Sequence, residues 1–160
     1  MIQSALERFV LSRHGLALDR LLVKYLGTSL TIGVFARATG SVANPALYLE
    51  TRGRRSGRRR GVVLPRFEID GMYFVVGSKG GSAEDPYWAK NLRATPEATV
   101  YIDRKPRRVL ARFLQGEERD RYWTAIKQRV PAYRDYEQST RREIPVVHFI
   151  PAAETTAQGL

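Results

Sequence analysis

Residues 61–78 read GVVLPRFEIDGMYFVVGS, and the Asp70-Gly71 pair inside them decides the fold. Asp-Gly tolerates positive φ at both central positions of a turn, which is what a type I′ hairpin needs. The apolar runs on either side are therefore read as two neighbouring antiparallel strands. Pro65 has no N–H to give to a ladder, so its strand belongs at an edge or a bulge. Working outward, ALYLET (46–51) is a short strand before this hairpin. ATVYID (98–103) and RRVLARFLQG (107–116) form a second hairpin across DRKP, and IPVVHFIP (144–151) is a final buried strand. This makes about six mostly antiparallel strands, without regular βαβ alternation. The expectation is a mainly β, α+β chain: an antiparallel sheet or small barrel with flanking helices.

The helices read from a different period. Ile2, Leu6, Phe9 and Val10, then Leu18, Leu21, Leu22, Tyr25 and Leu26, recur at helical spacing, with Gly15 expected to divide two helices. A third apolar stretch runs from Leu30 to Phe35. This N-terminal stripe is open to two readings. It packs on the core, or, with Arg8, Arg13, Arg20 and Lys24 beside it, it lies on a membrane surface. In SAEDPYWAKNLRATPEA (82–98), Asp85 is the expected cap and Pro86 the first helical residue. EERDRYWTAIKQRV (117–130) carries acids at its positive end and turns Tyr122, Trp123, Ile126 and Val130 inward. YRDYEQST (133–140) is a short helix or turn. The expected organisation is a helical segment over 1–40, one barrel domain over 41–151 and a frayed tail over 152–160.

Composition narrows the chemistry. The 160 residues contain no cysteine, which excludes disulfides and thiolate metal sites. His14 and His148 are far apart and neither has a partner in sequence for a metal site or a nucleophilic triad. No Walker or dinucleotide fingerprint is present. The opening MIQSALERFVLSRHG lacks an uninterrupted apolar core and a small-residue cleavage site, so no secretory signal is expected. Asp19, Arg20 and Lys24 break the longest candidate membrane span. The expected location is cytoplasmic, with peripheral attachment to the membrane as the alternative left open by the N-terminal stripe.

The net charge is +11, and TRGRRSGRRRG (51–61) alone places six arginines in the nine positions from Arg52 to Arg60. Like charges so dense repel one another and point to a bound anion, whether nucleic acid, a membrane surface or a phosphorylated small molecule. A second glycine-punctuated basic turn, GSKGG (77–81), follows a strand. Glycines let backbone N–H groups reach an anion that Arg or Lys neutralises. Tyr133 and Tyr136 stand at helical i, i+3 spacing, which puts both hydroxyls on one face. No helix-turn-helix, zinc or RNP-type motif supports nucleic-acid binding.

Four segments in order, TRGRRSG, GSKGGSAEDPYWAKNLRATPEATV, GEERDRYW and PAYRDYEQSTRREIPVV, resemble the deazaflavin-dependent nitroreductase family, whose members use reduced coenzyme F420. The resemblance covers about residues 46–151. It implies a split β-barrel related to flavin-mononucleotide-binding oxidoreductases, and coenzyme F420 as cofactor. It implies that Arg54, Arg55, Ser56 and Arg60 hold the coenzyme's phosphate and oligoglutamate tail, with Leu64 on the strand that follows. Ser78 and Lys79 then meet the deazaflavin, and Tyr87, Trp88 and Asn91 belong to the segment that closes on it. Ser78, Tyr133 and Tyr136 are the implied catalytic residues, the tyrosines on the side of a quinone or nitro-aromatic acceptor. Two departures are visible: Val62-Val63 stand where the family often has Thr-Pro or Asn-Pro, and Val130 stands where some relatives carry a tyrosine. A same-fold enzyme using flavin mononucleotide is the alternative; a mononucleotide offers no glutamate tail to match so many cations. The second alternative is a basic nucleic-acid-binding module.

Overall fold

The computed structural model describes residues 5–40 and 42–152. Ile2 and the tail beyond residue 152 lie outside the described residues. The chain begins with three helices, α1 (Ala5–Val10), α2 (Arg13–Leu26) and α3 (Leu30–Thr39). There follow β1 (Ala46–Arg52), β2 (Arg59–Pro65), β3 (Phe67–Ile69) and β4 (Met72–Val76), then α4 (Tyr87–Ala94). β5 (Glu97–Ile102) and β6 (Lys105–Phe113) precede α5 (Gly116–Arg129), α6 (Ala132–Gln138) and β7 (Val146–Pro151). The strands form one sheet in the order β2-β1-β5-β6-β7-β4-β3. Every neighbouring pair is antiparallel. β2 and β4 come into contact across the open side, so the sheet curls into a half-barrel.

Asp70 and Gly71 both take positive φ, +54° and +73°, and turn β3 into β4 as the dipeptide predicts. The second hairpin turns tighter than DRKP implies. Asp103 and Arg104 alone take positive φ, and Lys105 already pairs with Ile102. Pro65 ends β2, an edge strand, where its missing N–H costs nothing. The sheet has seven strands where the sequence suggests six. The division falls at Arg66, whose amide leaves the ladder to bond the Pro45 carbonyl at 2.8 Å and whose guanidinium is fixed by Asp103 at 3.2 Å.

Apolar alternation fills the curl. Leu47, Leu49, Val75, Val100, Ile102, Val147 and Phe149 point inside with Trp88, Ala89 and Leu92 of α4. The other face of β4 and β7 is covered by α5 and α6 through Phe74, Trp123, Ile126, Val130 and Tyr133. Truncating Trp123 to alanine in such a core costs about 3–5 kcal/mol.

The N-terminal helices sit on the outside of the barrel. α2 packs on β1, β2 and β5. Lys24 bonds Glu50 at 2.8 Å and stands over the rings of Tyr101 and Tyr48 at 4.7 and 5.5 Å. The hydrogen bond from Lys24 to Glu50 raises the ammonium's pKa and holds it charged. Gly15 does not separate the first two helices. Ser12 caps α2, and Gly15 lies inside it because a Cβ there would collide with the carbonyls of Phe9 and Val10. Ser29 caps α3, its hydroxyl accepting the Ile32 amide at 3.1 Å, and Asp19 of α2, 1% exposed, accepts that hydroxyl at 2.8 Å and the Leu30 amide at 2.6 Å. Phe9, Leu16, Leu18, Leu21, Tyr25, Leu26 and Leu30 remain exposed. Among the described residues no single helix is long and apolar enough to cross a membrane; α2 and α3 are bent by 112°.

Candidate functional site

The arginine turn is a tight loop closed by its glycines. The Gly53 amide bonds the Arg58 carbonyl at 2.8 Å and the Gly57 amide the Gly53 carbonyl at 2.7 Å. A Cβ on Gly53 would lie 2.8 Å from Ser56 Oγ, and Gly57 takes φ +66°. This loop presents Arg54 and Arg55 to solvent. Strand alternation then divides the remaining cations. Arg60 pairs with buried Thr51 on the inner face, whereas Arg59 pairs with Arg52 on the outer face. All six arginines are exposed, and among the described residues none is in an ion pair with a carboxylate. Arg52 and Arg59 line a separate groove of about 350 Å³ with Arg108 and Glu97.

The second turn is held from behind. Gly77 fits against Pro145, whose Cγ would stand 2.6 Å from an added Cβ. Arg142 donates to the carbonyls of Gly77, Ser78 and Ser82 at 2.9, 2.8 and 2.8 Å and to Asp85 at 2.7 Å. This corrects the expected cap of α4. Pro86 itself occupies the cap position with an extended backbone, its carbonyl receiving the Ala89 and Lys90 amides. The Asp85 carboxylate serves Arg142 and, at 3.5 Å, Arg93 instead.

α4 bridges the two turns. Asn91, 5% exposed, donates to Thr51 Oγ1 at 3.1 Å and accepts the Arg54 amide at 3.2 Å. Tyr87 is 70% exposed, and the cationic groups of Arg54, Lys79 and Lys90 stand 5.7–5.9 Å from its ring centre. Beyond the ring, Glu84 accepts Lys90 at 2.7 Å, which lowers the carboxyl's pKa.

Between these elements lies a cleft of about 560 Å³. Arg54, Arg55, Ser56 and Arg60 reach it from the hairpin, Lys79 from the second turn, and Tyr87, Trp88 and Asn91 from α4. Thr51, Val62 and Pro86 also line it; none of them is among the site residues expected from sequence, although strand alternation with Arg60 marks Val62. Four expected site residues lie elsewhere. Leu64 is 8% exposed and belongs to the barrel core. Ser78 precedes Lys79 but does not line the cleft, and Arg142 holds its carbonyl. Tyr133 is 3% exposed between Phe67 and Trp123, and burial pushes its hydroxyl pKa up. Tyr136 is half-buried, its ring 6.0 Å from that of Tyr133, and its backbone packs on Gly81. The tyrosines thus adjoin the second turn, and neither lines the cleft. His148 lies in β7 against the Phe74 ring, and burial lowers its pKa. Among the described residues no cluster of His, Asp or Glu is placed to hold a metal.

The model of the F420H(2)-dependent quinone reductase family matches residues 33–151. The chain belongs to this family. The F420H(2)-dependent quinone reductase Rv1261c of Mycobacterium tuberculosis is 34% identical over 126 residues, 77% of this chain and 82% of the relative. The solved structure of the F420-H2 dependent reductase FDR-A is 37% identical, covers 66% of this chain and 94% of its own, and superposes with a TM-score of 0.60. HutZ, the heme storage protein of Vibrio cholerae, is 16% identical with a TM-score of 0.50 and shares the fold alone.

The residues of the cleft fit the coenzyme of the family. Exposed, unpaired arginines suit a ligand carrying phosphate and several carboxylates. The backbone of the second turn adds N–H donors: the amides of Ser78, Lys79 and Gly80 have no acceptor among the described residues. Tyr87 offers an exposed aromatic face ringed by cations.

Proposed function

We propose that this protein binds reduced coenzyme F420 in the cleft between the arginine hairpin, the Ser78–Gly81 turn and α4, and reduces a quinone. One observation carries the placement. Two segments distant in sequence, the arginine hairpin and the second turn, bring their cations to a single cleft that α4 walls, and among the described residues none of the hairpin's arginines is paired with a carboxylate. The coenzyme, when bound, supplies a hydride to an electrophilic acceptor. The chain's own residues bind, orient and protonate. Arg54, Arg55 and Arg60 neutralise the phosphate and the carboxylates nearest to it, with Ser56 as a further donor. Lys79 and the turn amides hold anionic oxygen atoms of the coenzyme. Trp88 forms an apolar wall, and Tyr87 folds over the bound molecule from the rim.

The acceptor enters on the side of α6. Tyr136, half-buried beside Gly81, is the hydrogen-bond donor for an acceptor oxygen on which negative charge develops. Tyr133 stays protonated because its surroundings are apolar, and it supports the Tyr136 ring from the core. Nitro-aromatic compounds fit the same role as acceptors, since their oxygens gain charge in the same way. The exposed leucines of α2 and α3 form a peripheral membrane contact, which suits acceptors dissolved in lipid.

Competition between coenzymes tests the binding half of this reading. Titration with coenzyme F420 is expected to give saturable binding that excess flavin mononucleotide does not displace. Displacement by the mononucleotide, with no binding of the deazaflavin, would reverse the cofactor assignment.

A further inference from the structure

The turn after β4 has a backbone feature that its glycines do not explain. Ser78 is in the right-handed helical region at φ −67°, ψ −40°, and Lys79 follows with φ +46°, then Gly80 with φ +61°. A right-handed residue followed by a left-handed one points successive N–H groups into one concavity, a nest that receives an anion. A lysine adopts positive φ only at a cost, and here no hydrogen bond of its own amide offsets that cost.

Arg142 supplies the constraint. Its side chain is 14% exposed, and its guanidinium spends four hydrogen bonds on the Gly77, Ser78 and Ser82 carbonyls and Asp85. In a trans peptide the carbonyl and the N–H of one unit point in opposite directions. Fixing the Gly77 and Ser78 carbonyls toward Arg142 therefore aims the Ser78 and Lys79 amides away from it. The cation behind these peptide units also polarises them and strengthens their N–H groups as donors.

We infer that Arg142 is a positioning residue: it preforms the Ser78–Gly80 turn as a backbone nest for an anionic oxygen and adds its charge through the peptide units without touching the ligand. That the anion belongs to a deazaflavin coenzyme rests on the proposed function. The oxygen comes either from the coenzyme's phosphate or from its ring system, and both present the same chemistry to three N–H groups.

The test uses two probes on the full chain. In 1H–15N spectra, inorganic pyrophosphate is expected to move the Ser78, Lys79 and Gly80 amide protons of the wild type downfield. Arg142→Ala is expected to abolish that response and to weaken coenzyme binding about tenfold, the scale of one charge-assisted hydrogen bond. Millimolar guanidinium ion should restore much of the lost affinity by refilling the pocket of carbonyls, a rescue that general destabilisation does not show. If the alanine variant does not fold, Arg142→Lys replaces it, with a smaller loss in both readouts expected. Repeating the titration with the deazaflavin riboside, which lacks phosphate, separates the sources. A variant effect seen only with the intact coenzyme assigns the oxygen to phosphate, and an equal effect assigns it to the ring. Amides unmoved by pyrophosphate in the wild type, equal responses in a folded variant, or loss of affinity without rescue would overturn the inference. A wild type that ignores the coenzyme yet shows the amide shifts would overturn the functional reading and leave the nest standing.

Discussion

Asn91→Leu removes the joint between α4 and the arginine turn. The substitution keeps a side chain of similar size in a buried position but deletes two hydrogen bonds, one to Thr51 Oγ1 and one from the Arg54 amide. Each such bond contributes about 1 kcal/mol net, and a buried group left without a partner costs about 1–3 kcal/mol. Neither partner is fully stranded. Thr51 Oγ1 keeps a 3.4 Å contact with the Arg60 carbonyl, and Arg54 sits in an exposed loop whose amide can turn to water. The expected destabilisation is therefore about 2 kcal/mol, which lowers Tm by about 4–8 °C for a chain of this size. The loop loses its tether as well, and about 1 kcal/mol of lost preorganisation weakens coenzyme binding about fivefold. Thermal melts and a fluorescence titration with coenzyme F420 measure both quantities on one sample. An unchanged Tm would refute the hydrogen-bond account. A lower Tm with unaltered affinity would show that α4 does not position the arginine turn for binding.

Arg60→Ala and Lys79→Ala are each expected to weaken the coenzyme about tenfold, while Arg59→Ala on the outer face changes affinity less than about twofold; equal losses in all three would remove the division of the cations between faces. Replacing exposed Leu18 and Leu21 with serine is expected to lower recovery of the protein with anionic liposomes in sedimentation while leaving Tm nearly unaltered, and equal recovery would dispose of the membrane contact. His148 gives a pH signature. Burial holds its folded-state pKa below the unfolded value of about 6.5, so the unfolded chain takes up the proton first, and stability present above that pH is lost as pH falls. Urea midpoints should therefore drop between about pH 7 and pH 5.5 in the wild type and drop less in His148→Phe; parallel curves would refute this.

What the sequence makes legible is local. Asp70-Gly71 fixes a turn through its own dihedral preferences, Pro65 marks an edge, and the glycines of the arginine turn do their work within five residues of one another. Eight of the expected coenzyme residues converge on one cleft because hairpin alternation and helix period suffice to aim them. The remainder depends on contacts across the chain. Nothing beside Asp85 announces that Arg142, 57 residues later, takes its carboxylate and leaves the helix capped by Pro86. Asp19 reads as a break in an apolar stripe, yet it is buried, accepting the capping Ser29 hydroxyl and the first amide of the following helix. Gly15 looks like a helix breaker, and it is an approach point for α1. Tyr133 and Tyr136 share a spacing that puts them on one face, but spacing does not say which is sunk between Phe67 and Trp123.

The proposed activity is hydride transfer from reduced coenzyme F420 to a quinone, with the cations of one cleft holding the coenzyme. Following the absorbance of the coenzyme as it is oxidised by menadione tests it most directly. Protein-dependent oxidation that saturates with coenzyme, and whose KM rises about tenfold in Arg60→Ala with kcat little altered, is the predicted result. Absence of turnover with menadione and with every other quinone or nitro-aromatic tried, from a folded protein that also fails to bind the coenzyme, would contradict it.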